Sequence, residues 1–206
     1  VSGPGPEVRR TGKDSVWVPY VPPRGDIAVV ARGLLGARLT TTRGGVRTAI
    51  VIDEVEAYGG PDDPASHAYR GRTGRNASMF APAGTLYVYR IYGMHWCANV
   101  VAGPPEFPAA VLVRGGIPVS GRAAMTARRG REDHLTDGPG KVCAALAITG
   151  NDDGTSLIDG PVRLETPVRR PDLRIEATPR IGISGATDRP WRFVAHRTDG
   201  SSLADT

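Results

Sequence analysis

Apolar positions along this chain change period several times, and each change predicts an element. Residues 1–25, rich in Gly, Pro and Arg, keep no period and read as a flexible N-terminal arm. After Asp26, a candidate N-cap, Ile27 to Ala31 and Leu34-Leu35 fall at helical spacing, interrupted by Gly33. Arg38 to Thr42 reads as a strand, Gly44-Gly45 as a hairpin turn, and Val46 to Tyr58 as the return strand, stopped by Gly59-Gly60-Pro61. The polar loop from Gly59 to about Ala83 is long enough to be expected functional or mobile. Thr85 to Gly93 and His95 to Val101 predict a hairpin with Tyr92-Gly93-Met94 at its tip. Ala109 to Arg114 predicts a buried strand ending in a charge. Arg122 to Arg131 reads as a basic helix, and Gly138-Pro139-Gly140-Lys141 opens another through Leu146. Past the turn at Asn151–Gly154, short strands are expected at Pro161–Glu165, Arg174–Glu176, Arg180–Ile183 and Trp191–Val194, then a tail at 201–206. The sum is one mixed α/β domain over residues 26–200: a curved antiparallel sheet with flanking helices and a projecting β-hairpin.

Composition narrows the function classes. A chain of 206 residues, 40% of them hydrophobic, suffices for one domain with a sizeable core. A net charge of +5 permits a polyanionic partner without demanding one. All but two of the 26 basic residues (Lys13 and Lys141) are arginine. That suits bidentate phosphate contacts, and it equally fits GC-rich codon usage in a bacterial source. Cys97 and Cys143 sit among apolar residues without metal-ligand spacing and read as buried free thiols. No run is apolar enough to span a membrane, and the start lacks a signal-peptide core, so a soluble cytoplasmic protein is expected, nucleoid-associated if DNA is its partner; a monomer is the separate expectation for its assembly.

Candidate chemistry gathers around the strand ending at Tyr58. Alternation puts Glu54, Glu56 and Tyr58 on one face, a carboxylate beside an aromatic ring at a strand end. Tyr58, Tyr87, Tyr89 and Tyr92 could simply pack in a sheet, but a buried glutamate among them costs several kcal/mol unless it is paired or useful. Arg114 is a candidate partner. Asp62, Asp63 and His67 superficially resemble metal ligands, yet no second histidine or cysteine completes a set, so no metal is expected. Gly138-Pro139-Gly140-Lys141 lacks the full phosphate-loop pattern but could touch a nucleic-acid backbone through N–H groups.

The ordered motifs Glu56-Ala57-Tyr58-Gly59-Gly60-Pro61-Asp62-Asp63 through His67, Arg75-Asn76, Met79-Phe80, Gly84 to Tyr89, Tyr92-Gly93-Met94, Asn99, Val111 to Arg114, Gly138 to Cys143 and Arg180 to Ile183 resemble the alkyladenine (3-methyladenine) DNA glycosylase family. The resemblance covers about residues 26–195. It implies that Glu56 is the general base for water, with Arg114 holding the carboxylate and the water. Tyr58, His67 and Tyr89 would line a pocket for an everted base, Asn99 would screen it, and Tyr92 would wedge into the duplex. It implies an enzyme without metal or organic cofactor that releases alkylated purines from double-stranded DNA. Arg70, Arg72, Arg75, Arg128, Arg129 and Lys141 are the candidate backbone contacts. With two lysines in the chain, water rather than an amine is the expected nucleophile. Two other readings stay open: an RNA-binding module, because the resembled fold is also similar to a tRNA-binding domain of formyltransferases, and a small-nucleoside hydrolase.

Overall fold

The computed structural model describes residues 10–11, 15–23, 25–104 and 106–205. Its spine is one long strand, β4 (Val46–Tyr58), preceded by β1 (Arg10–Thr11), β2 (Ser15–Pro19), helix α1 (Ile27–Leu34) and β3 (Arg38–Arg43). After it come β5 (Leu86–Ile91), β6 (His95–Val101), β7 (Ala110–Ser120), α2 (Arg122–Arg129), α3 (Pro139–Leu146), β8 (Val162–Pro167), β9 (Leu173–Thr178) and β10 (Arg192–Arg197). The strands form one sheet in the order β1-β2-β8-β3-β4-β7-β6-β5, every pair antiparallel. β4 is long enough to fork the sheet. Its first half pairs with β3 on one edge and its last residues with β10, which carries β9, while β7 follows the opposite edge throughout.

Local chemistry accounts for several boundaries. Asp26 caps α1, its Oδ1 accepting from the Ala28 N–H at 2.7 Å. The β5–β6 hairpin turns through Tyr92 and Gly93, both at positive φ (51° and 66°), with Met94 N–H donating to Ile91 O at 3.1 Å. Two successive positive φ values make a type I′ turn, whose twist matches that of the flanking strands.

Four adjacent strands divide their side chains cleanly between two faces. Val55 and Ala57, Val111 and Val113, Ala98 and Val100, and Leu86 and Val88 point into the main core, which α1 and α3 cover. The alternate positions, Glu56 and Tyr58, Leu112 and Arg114, Cys97 and Asn99, and Tyr87 and Tyr89, line a cavity on the other face. That is the period of two, read in three dimensions.

Four expectations are corrected. Ser15–Pro19 is a strand on β8, with Trp17 and Tyr20 buried in the main core, so the arm cannot reach residue 25; residues 1–9, 12–14 and 24 lie outside the described residues. At the other end Leu203 is buried in the core, so the tail is not free of the domain. The strand from Ala110 does not stop at Arg114 but runs to Ser120, because β4 is there to pair with it. Arg180–Ile183 is not a strand: Pro179 leaves β9, and the segment bends over the cavity.

Candidate active site

Glu56 lies at the cavity floor with no solvent exposure. Such a carboxylate persists only with partners, and it has three. Its Oε2 accepts from the Tyr58 hydroxyl at 2.9 Å and lies 3.3 Å from the Arg114 guanidinium; its Oε1 accepts from the Ile181 N–H at 2.7 Å. Tyr58 reaches Glu56 because it is two residues along the same strand face. Arg114 reaches it because the β4–β7 register slips there, leaving Asp53 and Arg114 without directly paired residues. Such bulges re-aim side chains. Burial, then the negative Glu56, pushes the Tyr58 phenol up, so it stays a donor. Burial opposes the charge on Arg114, but Glu56 and Glu54 outweigh it and raise the guanidinium further.

The cavity, of about 190 Å³, is walled by rings. Tyr87 and Tyr89 stack with centroids 5.6 Å apart and planes at 29°, and His67 meets Tyr89 edge-on at 4.4 Å. His67 Nδ1 lies 3.0 Å from the Tyr87 hydroxyl. Partial burial of the imidazole, then the nearby Arg75 charge, lowers its pKa, which keeps the ring neutral. Burial raises Tyr87, Tyr89 and Cys97 as well, so all three stay protonated. Asn99, buried, donates from Nδ2 to Tyr87 O at 3.1 Å and also faces the cavity.

The loop that holds His67 is ordered by two buried polar residues. Asp63 forms a bidentate pair with Arg180 (2.5 and 2.8 Å) and accepts from the Gly59 and Ala65 N–H groups at 3.1 and 3.2 Å. Burial alone would raise Asp63, but the Arg180 and backbone hydrogen bonds overcome it and hold the carboxyl below its ordinary range. Asn76 donates to the carbonyls of His67 and Gly71 at 2.9 and 3.0 Å and accepts from Thr73 N–H at 2.6 Å.

Among the sequence-predicted residues, Glu56, Arg114, Tyr58, His67, Tyr89 and Asn99 are brought together around one cavity. Tyr92 stands apart at the hairpin tip, 82% exposed. The arginines divide. Arg70 and Arg72 are exposed on the loop. Arg75, also exposed, lines the cavity as well, its guanidinium 5.7 Å from the Tyr89 ring centroid and donating to Arg90 O at 3.0 Å. Arg128, half-buried, donates from Nη1 to Ala145 O at 2.8 Å and Thr48 Oγ1 at 3.3 Å, tying α2 to the core. Arg129 is half-buried beside it, and Lys141 is half-buried and paired with Asp137 at 3.0 Å. Tyr87 went unpredicted, although it lies two residues before Tyr89 on the same face. Asp63, Arg180 and Ile181 stand within the motifs that carry the resemblance, but no local pattern gave them a role. Among the described residues no cluster of three or more His, Cys, Asp or Glu is placed to hold a metal ion, and no helix is long and apolar enough to cross a membrane.

An anionic oxygen in front of stacked aromatic walls suits a hydrolase whose substrate is a flat, electron-poor heterocycle. Residues 23–199 match the family model described as methylpurine-DNA glycosylase (MPG). Similar proteins carrying the name "Putative 3-methyladenine DNA glycosylase" come from Methanoculleus marisnigri (51% identical over 173 residues, 82% of this chain and 89% of that one) and Agrobacterium fabrum (49% over 170 residues, 82% and 83%). One from Nocardia farcinica is 49% identical over 178 residues, covering 82% of each chain. The chain belongs to the methylpurine-DNA glycosylase family and is a DNA glycosylase.

Proposed function

We propose that this glycosylase extrudes a damaged purine from duplex DNA into the ring-walled cavity and releases it by hydrolysis, with Glu56 as general base. The observation that carries the reading is the carboxylate itself: fully buried, fixed from three sides, and bordering the cavity. A base in the duplex shields its sugar C1′, so the nucleotide must swing out, against roughly a few kcal/mol of stacking and pairing. Tyr92, projecting on its hairpin, takes the vacated space. Alkylation at N3 or N7 leaves the purine cationic, and each tyrosine face attracts such a ring by roughly 0.5–2 kcal/mol. Asn99 against the minor-groove edge rejects the guanine amino group that adenine lacks. Glu56 takes the proton of the attacking water and faces the oxocarbenium-like sugar, while Arg114 and Tyr58 hold its geometry.

Water is the nucleophile in this reading. Lys141 is paired with Asp137 and is not among the residues lining the cavity; Lys13 lies outside the described residues. The product is an abasic site, with no Schiff base. Arg70 and Arg72 contact phosphates on the loop side, Arg129 and Lys141 on the α2–α3 side, and the enzyme acts as a monomer on nucleoid DNA in base excision repair. The substrate class is 3-methyladenine and its kin, with hypoxanthine and ethenoadenine as further members. An RNA-binding module would have no use for a buried Glu56 facing a cavity.

Four duplex oligonucleotides carrying N3-methyladenine, N7-methylguanine, hypoxanthine or ethenoadenine test this directly. The parent is expected to release at least the first under single-turnover conditions. Glu56→Gln should slow release roughly 10²–10⁴-fold while duplex binding persists. Release from none of the four, or equal rates for variant and parent, would end the proposal.

A further inference from the structure

Arg114 does not hold Glu56 unaided. Its Nε donates to Glu54 Oε1 at 2.8 Å while its other end lies 3.3 Å from Glu56 Oε2. The same Glu54 oxygen accepts from Arg192 Nε, on β10, at 2.6 Å. Arg192 in turn donates to Thr178 Oγ1 at 3.0 Å. Thr178 ends β9, just before the segment whose Ile181 N–H binds the second Glu56 oxygen. A chain of alternating charge, Arg192–Glu54–Arg114–Glu56, thus crosses three strands and steadies the catalytic carboxylate from both sides. Two short guanidinium bonds on one oxygen make Glu54 a fixed post, unlike an ordinary surface pair. The backbone is cut to admit it: a Cβ at Gly115 would lie 2.8 Å from Asp53 Oδ1 and 3.2 Å from Glu54 Cβ.

We propose that Glu54 is a positioning residue for base release, anchoring Arg114 so that Glu56 is presented to the cavity, with Arg192 as the outer anchor. This rests on the reading of Glu56 as general base. Without Glu54, the whole Arg114 fork is free to turn onto Glu56 and draw it against β7.

The test compares Glu54→Gln, Arg192→Gln and Glu56→Gln with the parent. The maximal single-turnover rate of methylpurine release from dimethyl-sulfate-treated duplex DNA is measured, with duplex affinity and Tm alongside. Glu54→Gln should slow the maximal rate roughly 10–100-fold at unchanged affinity and Tm. Arg192→Gln should slow it less, again at unchanged affinity. A purely structural role would lower Tm and affinity together with the rate. A parental rate in a folded Glu54→Gln protein, beside an inactive Glu56→Gln, overturns this proposal alone. Parental release by Glu56→Gln overturns the general-base reading and this proposal with it. Should Glu54→Gln fail to fold, Arg192→Gln decides: a parental rate counts against the chain.

Discussion

Asp63 and Glu56 are both carboxylates without solvent exposure, and each faces an arginine, yet the two pairs are built for different ends. Asp63 spends both oxygens on Arg180 in a bidentate fork and takes two further backbone N–H groups. Arg180 is closed in as well, donating to Ala57 O at 2.9 Å and lying between the rings of Tyr58 and Trp191. Both Asp63 oxygens are taken, and Arg180 Nε is buried without a hydrogen-bond partner among the described residues. Glu56 keeps a longer, single-ended contact with Arg114, which is shared with Glu54, and it borders a cavity. The bidentate pair holds the loop in shape, and the looser one leaves Glu56 at the border of the cavity.

Breaking each pair should separate stability from activity. Asp63→Ala leaves a buried guanidinium uncompensated and is expected to cost about 3–5 kcal/mol, a fall in Tm of roughly 6–20 °C by thermal denaturation. Glu56→Gln retains an acceptor for the Ile181 N–H and leaves Arg114 paired with Glu54, so its Tm should stay within about 4 °C of the parent despite the loss of base release. A larger fall for Glu56→Gln than for Asp63→Ala would invert the comparison. The pH sign is fixed for the structural pair. The folded Asp63 carboxyl sits below its unfolded value, so its contribution is full above about pH 4 and is lost as pH falls through the folded value.

A smaller effect is expected at the hairpin. Tyr92 holds a φ of 51°, costly for a bulky residue, and its ring is almost bare. Tyr92→Gly should leave Tm unchanged or raise it by stabilising the turn by about 1 kcal/mol, while slowing release roughly tenfold if about 1.4 kcal/mol of wedge stacking is lost. An unaltered rate would deny Tyr92 any part in extrusion.

The smallest effect concerns Asp53, the bulged neighbour of Glu54. Burial, then Glu54 and Asp137, pushes its carboxyl up to about 6. Since the folded value lies above the unfolded one, the folded state prefers the proton, and ionised Asp53 is a burden above about pH 6. Asp53→Asn should therefore raise Tm at pH 8, with the gain fading as pH falls through about 6. A gain that grew toward acid pH would refute this.

Some of the molecule was legible from periodicity and turn chemistry. Strand alternation placed Glu54, Glu56 and Tyr58 on one face. Glycine with its neighbours located the Tyr92 turn, and Asp26 announced the start of α1. Tyr87 was within reach of the same argument. These features depend on backbone geometry a few residues wide, which the chain carries everywhere it goes. Other features depended on pairings between distant segments. Arg114 was expected at a strand end, but it meets Glu56 because β4 extends β7 and the register slips between them. Arg128 looked like a surface cation until α3 offered it the Ala145 carbonyl. Ser15–Pro19 became a strand because β8 presented an open edge, and Ile181 came to hold Glu56 because the chain leaves β9 before it. Local geometry thus determined which residues share a face; only the tertiary fold decided which faces meet, because hydrogen-bond partners supplied from over a hundred residues away leave no trace in nearby sequence.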